Sequence, residues 1–121
     1  MKKSIILTLA FFFSTFIISF AQTTKTVALE QTPGAFTIES LTLSEGTYVF
    51  EISNNNVNKD VGFVLAPKGK TDADHHIKEA YVKELVKTGT TVSSNKVTLT
   101  KGEYVYFCPL NETPQYTLVV E

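Results

Sequence analysis

Arginine and tryptophan are absent from this 121-residue sequence, methionine occurs only at position 1, and Cys108 is the single cysteine. Each absence excludes something. All eleven basic side chains are lysine, so the chain lacks the planar guanidinium fork that grips phosphates and guanine edges, and a nucleic-acid partner is not expected. One cysteine cannot close a disulfide within the chain. The two histidines, His75 and His76, are neighbours, so a site drawing imidazole or sulfur ligands from separate parts of a fold is short of them. No nucleophile, base and orienting group stand at a recognisable spacing, and the chain does not read as an enzyme. Eleven lysines against twelve acids give a net charge of −1, which favours solubility over any strongly charged partner.

The N-terminus is where the apolar residues concentrate. Lys2 and Lys3 precede a run from Ile5 to Phe20 that only Thr8, Ser14, Thr15 and Ser19 interrupt, and it closes on Ser19-Phe20-Ala21. A basic start, an apolar stretch and a small-x-small ending predict a secretory signal peptide over residues 1–21, with an exported domain, periplasmic or secreted, over 22–121. The competing reading is an uncleaved anchor, since a membrane span needs about 20 apolar residues. Position 22 is Gln, not the cysteine a lipid anchor would require. After cleavage no membrane association is expected.

The rest of the chain has no internal repeats and no low-complexity linker, so one domain is expected. Short β-like runs alternate with Gly, Pro and Asn. Lys25 to Glu30 is a first strand, Ala35 to Leu43 an interrupted second, and Thr47 to Ser53 a third, where Tyr48, Phe50 and Ile52 alternate with polar neighbours. Asn54 to Asn58 form a polar loop, and Asp60 to Ala66 a further strand closed by Pro67. From Thr71 to Lys87 the period changes. Ile77, Tyr81 and Leu85 recur every four residues, which predicts one amphipathic α-helix near residues 72–87, ended by Gly89. Lys96 to Thr100, Glu103 to Cys108 and Tyr116 to Glu121 complete about seven strands, the count and spacing of an all-β, Greek-key antiparallel β-sandwich.

Two stretches carry a resemblance. Gly102-Glu103-Tyr104-Val105-Tyr106-Phe107-Cys108-Pro109 is similar to the segment that delivers the copper-ligating cysteine in the cupredoxins, the plastocyanin and azurin type of β-sandwich. Gly46-Thr47-Tyr48-Val49-Phe50-Glu51-Ile52-Ser53-Asn54-Asn55 resembles the strand and Asn-rich loop before that family's first histidine, and the expected helix resembles the azurin-type flap. The resemblance implies a type 1 copper site of two imidazoles, one thiolate and a weak axial ligand. Cys108 matches the thiolate. Val61, or Asp60 in a register one residue earlier, stands where the first imidazole belongs. Leu110 and Asn111 take the second, and Gln115 is the one residue near the axial position with a donor.

Those substitutions imply a cupredoxin-like domain without a type 1 centre, acting as a binding or interaction module and holding no cofactor. Its partner, a protein or small ligand, would dock on the loop end formed by Asn54–Asp60 and Pro109–Gln115. The alternative is a copper-binding electron carrier or copper-handling protein in which Cys108 works with Asn111, Gln115 or His76. Adjacent helical residues point about 100° apart, so His75 and His76 could not both face one ion. Asp72, His76 and Glu79 would share a helix face, and Asn111-Glu112-Thr113 matches an N-glycosylation pattern. Cys108 itself reads as a small, buried apolar residue, the alternative being a thiol at the open end of the sandwich, available for oxidation or a mixed disulfide.

Overall fold

The period-2 rhythm from Tyr48 to Ile52 sets the core, and in the computed structural model, which describes residues 23–121, it extends to Asn54. There β4 (Gly46–Asn54) points Tyr48, Phe50, Ile52 and Asn54 inward. Beside it, β1 (Thr24–Thr32) turns Val27, Leu29 and Gln31 the same way, paired in parallel register so that Gln31 faces Asn54. Each of these two strands ends an apolar inward row with an amide, and both amides lie at one end of the molecule.

Around this pair the chain builds two sheets. In the first, β2 (Ala35–Phe36) folds back on β1 through Pro33-Gly34, where Gly34 at φ +76° takes the left-handed position of the turn. β6 (Thr91–Ser93) and β7 (Val97–Leu99) pair antiparallel with opposite halves of β4. The second sheet runs β3 (Ser40–Leu43), β9 (Tyr116–Val120), β8 (Gly102–Phe107) and β5 (Val64–Pro67). The result is the expected β-sandwich, with nine strands among the described residues and two parallel pairs, β1 with β4 and β3 with β9. The second expected strand is split in two because residues 37–39 cross from one sheet to the other.

Between the sheets, Phe36, Phe50, Phe63, Tyr106 and Tyr116 form a continuous ring cluster with centroids 5.1–6.2 Å apart. Aromatic pairs at such separations add about 0.5–1.5 kcal/mol beyond their burial. Tyr106 is fully buried, and its hydroxyl donates to the Ile38 carbonyl at 2.5 Å. Burial pushes its phenol up to about 12. At the opposite end from Gln31, Tyr48 and Tyr104 each donate to a carbonyl four residues back, Ser44 and Thr100, at 2.7 Å. These two tyrosine corners pin the turns that launch β4 and β8.

The helix expected near residues 72–87 is not there. The segment holds two short 3-10 turns, Ala73–His75 and Lys78–Ala80, and is otherwise bends and irregular chain, with His76, Ile77 and Tyr81 in β conformation. Its backbone groups bond outward to the sandwich instead of along a helix. Ile77 N–H donates to Leu65 O at 2.8 Å, Lys83 N–H to Ser93 O at 3.0 Å, and Val61 and Val86 exchange both bonds at 3.0 and 2.8 Å. Tertiary pairing outweighs a spacing of four that fits helix only if the backbone bonds stay local. The segment lies over β5, which explains why Val64, Leu65 and Ala66 are all buried although alternate residues of a strand face opposite ways.

The expected secretory signal, residues 1–21, lies outside the described residues. Among those described, no helix is long and apolar enough to cross a membrane.

Candidate functional site

Cys108 follows the last residue of β8 and points into the end of the sandwich where the inward amides gather. It is fully buried. Its Sγ accepts two backbone N–H groups, from Gly62 at 3.3 Å and from Asn111 at 3.4 Å. Its own N–H donates to Thr113 Oγ1 at 2.9 Å, and Thr113 N–H returns to the Cys108 carbonyl at 3.2 Å, closing the loop on itself. The thiol is therefore held by backbone donors from two loops.

The amides behind it form a closed hydrogen-bond set. Gln31 donates through Nε2 to the Gly62 carbonyl at 2.8 Å, fixing the same residue whose N–H reaches Cys108. Asn111 donates through Nδ2 to Gln31 Oε1 at 3.1 Å and to the Thr32 carbonyl at 2.9 Å, while its Oδ1 accepts Gly34 N–H at 2.8 Å. Asn54 clamps the neighbouring loop by donating to the Lys59 and Val86 carbonyls and accepting Val57 N–H. Among the described residues, no buried side-chain polar atom lacks a partner. With each buried side-chain nitrogen and oxygen holding at least one partner, this polar cluster is stable in a low-dielectric interior.

Of the residues singled out from the sequence, the structure gathers Val61, Cys108, Leu110 and Asn111 at one end, with Leu110 exposed there. Asn111 reaches Cys108 only through its backbone; its side chain is turned toward Gln31 and Thr32. His76 packs its ring edge against Phe107, whose neighbour Cys108 faces the interior. Both His76 nitrogens are engaged, Nδ1 with the Tyr81 hydroxyl at 2.7 Å and Nε2 with the Thr71 carbonyl at 2.9 Å. A carbonyl can only accept, so Nε2 carries a proton, and in the neutral ring Nδ1 accepts from the Tyr81 hydroxyl. Gln115 is exposed. His75 pairs with Asp72 at 2.9 Å, and this hydrogen bond holds the Asp72 carboxyl below the usual aspartate range. Among the described residues no three His, Cys, Asp or Glu side chains converge as a metal site would need. The glycosylation pattern at Asn111 has its acceptor amide buried and fully bonded.

No family model matches the chain, and no curated protein matches it by sequence. Solved structures do. Auracyanin A, described as a "blue" copper protein from Chloroflexus aurantiacus, superposes with a TM-score of 0.67 at 21% identity, over 82% of this chain and all of that one. Auracyanin B gives 0.66 at 18%, over 87% of this chain and 94% of its own. An azurin from Methylomonas sp. strain J gives 0.55 at 18%, over 79% and 97%.

The fold is cupredoxin-like.

In a cupredoxin a type 1 copper ion takes a thiolate and two imidazoles. The residues present here do not fit that ion. Val61, fully buried, offers a hydrocarbon, and its backbone is pinned to Val86. The Asn111 amide is consumed by three hydrogen bonds, and Cys108 is left as one sulfur with two N–H donors already aimed at it. What this cupredoxin-like end does offer lies just outside. Gly62, Phe63, Val64, Tyr81, Val82, Leu85, Pro109 and Leu110 line an apolar groove of about 360 Å³. Leu85 is 50% exposed, Leu110 45% and Tyr81 36%, three of the four large exposed apolar side chains among the described residues. The sequence pattern assigned Tyr81 and Leu85 to the inner face of a helix, so their place on a surface was not foreseen. Gln31 was missed too, although the alternation Val27, Leu29, Gln31 directs it inward.

Proposed function

We propose that this is an exported cupredoxin-like domain that has no type 1 copper centre and works as a non-catalytic binding module through the end that carries Cys108. One observation supports the reading: Val61 and Asn111, which the resemblance matches to the two imidazoles, are a buried hydrocarbon and an amide already bonded to Gln31 and Thr32, in a cluster where every buried side-chain polar atom has a partner without an ion. The apolar groove beside it supplies the surface. Exposed apolar clusters of this kind mark interaction sites, and loops on a rigid sandwich are where such folds carry function. Export rests on the apolar N-terminal run ending at Ala21, and protein sequencing of the purified product is expected to start at Gln22.

Equilibrium dialysis against copper tests the module reading. Bound copper well below one ion per chain, at free concentrations that saturate a type 1 protein, is the expected result. The competing reading, copper held through Cys108 with Asn111, Gln115 or His76, draws on the blue copper neighbours and on the two N–H donors at Sγ. It requires Asn111 or His76 to give up hydrogen bonds that the fold already makes, or Gln115 to turn inward from the surface. One tightly bound copper per chain, lost in Cys108→Ser, would establish it.

A further inference from the structure

We infer that the loop carrying Cys108, anchored by Gln31, excludes a type 1 copper ion through its backbone as well as its side chains, so that imidazoles supplied at the matched positions would not converge on the sulfur. The inference rests on the reading of this end as copper-free and assigns the cause to β1, a strand of the opposite sheet from β8. Residues 108–113 close into a ring. Cys108 N–H donates to Thr113 Oγ1 at 2.9 Å, Thr113 N–H returns to the Cys108 carbonyl at 3.2 Å, and Glu112 N–H reaches the Pro109 carbonyl at 3.2 Å. Glu112 reverses the chain in the left-handed region, at φ +53°.

This shape decides where the two positions matched to the second imidazole point. Leu110 is turned outward onto the groove. Asn111 gives Sγ only its backbone N–H, at 3.4 Å, and sends its side chain to the other sheet. There Nδ2 donates to Gln31 Oε1 at 3.1 Å and to the Thr32 carbonyl at 2.9 Å, while Oδ1 accepts Gly34 N–H at 2.8 Å. All three partners belong to β1 or to its turn into β2. Gln31 is fully buried and is held in its turn by the Gly62 carbonyl, at 2.8 Å from Nε2. A neutral histidine has one donor and one acceptor nitrogen, so at position 111 a ring with one nitrogen on a metal keeps a single N–H for these three groups and strands two of them. The first matched position is no freer. Val61 belongs to the apolar core, and its N–H and carbonyl are both taken by Val86 at 3.0 and 2.8 Å. A type 1 ion needs its thiolate and both imidazoles in one trigonal set, and such sets must be held to within about 0.5 Å.

Visible spectroscopy of copper-loaded Val61→His/Asn111→His and Val61→His/Leu110→His, each checked for fold by circular dichroism, is the test. Neither is expected to show an intense band. A band that disappears when Cys108→Ser is added overturns the inference. If neither variant folds, nuclear magnetic resonance of the parent protein decides. The Asn111 side-chain amide protons should exchange with solvent about tenfold or more slower than those of the exposed Asn58, and Gln31→Met should speed them about tenfold or more. Exchange at the rate of Asn58, or exchange indifferent to Gln31→Met, overturns the inference. A blue parent protein overturns the copper-free reading itself, whereas a colourless parent beside a blue double variant overturns only the role given to the loop and Gln31.

Discussion

Replacing Asn111 by alanine removes three hydrogen bonds in one step, but their losses are unequal. The Gly34 N–H and Thr32 carbonyl lie near the surface, where water can replace the amide, so each costs little. Gln31 is fully buried, and its Oε1 is left without the Asn111 donor. A buried acceptor stranded in this way costs about 1–3 kcal/mol, and the two outer bonds add roughly 0.5 kcal/mol each once water competes. The expected loss is therefore about 2–4 kcal/mol, a large part of a small domain's stability. Urea unfolding measures it. The chain has five tyrosines and no tryptophan, so tyrosine emission and far-ultraviolet circular dichroism are the probes. Asn111→Asp sharpens the test, because an ionised carboxylate would face the Gln31 and Thr32 oxygens. Its folded pKa should then be raised, so its stability should be greatest below the ordinary aspartate pKa near 4 and be lost as the pH rises through the folded value. An Asn111→Ala protein within 0.5 kcal/mol of the parent, or an Asp variant with no such pH dependence, would refute the assignment of Asn111 as the staple of this end.

Two further outcomes follow from the buried groups. Because Tyr106 has a folded pKa of about 12 against about 10 unfolded, the unfolded chain releases its proton first on alkalinisation. Stability should be complete below pH 10 and fall by about 2–3 kcal/mol between pH 10 and 12, a slope that Tyr106→Phe should flatten in pH-dependent urea unfolding. Cys108, fully buried, should react with a thiol reagent only as fast as the protein opens; stoichiometric labelling within seconds under native conditions would contradict its placement.

Much of this fold was legible because strands advertise themselves through alternation. Tyr48, Phe50 and Ile52 face inward as their spacing requires, Gly102 to Phe107 forms β8, and the Gly46 and Gly102 turns each launch a strand whose third residue is a corner tyrosine. The stretch from Thr71 to Lys87 was misleading for a physical reason. A spacing of four also arises when short 3-10 turns alternate with extended residues, and only the destinations of the Ile77, Lys83 and Val86 amides, on β5, on β6 and on Val61 ahead of β5, separate the two cases. At the candidate site, the resemblance points to the missing donors, since it matches Val61 and Asn111 to the two imidazoles. It does not show what replaces them, because the bond from Asn111 to Gln31 joins residues 80 apart in sequence. The groove was hidden for the same reason, being assembled from the loops at residues 62, 82 and 110.

The central claim is that the Cys108 end is complete without copper, and the visible spectrum of the purified protein after copper loading tests it most directly. A thiolate–copper bond at a trigonal site gives an intense visible band. The account predicts a colourless protein whose spectrum does not change in Cys108→Ser. An intense band that vanishes in Cys108→Ser would contradict it.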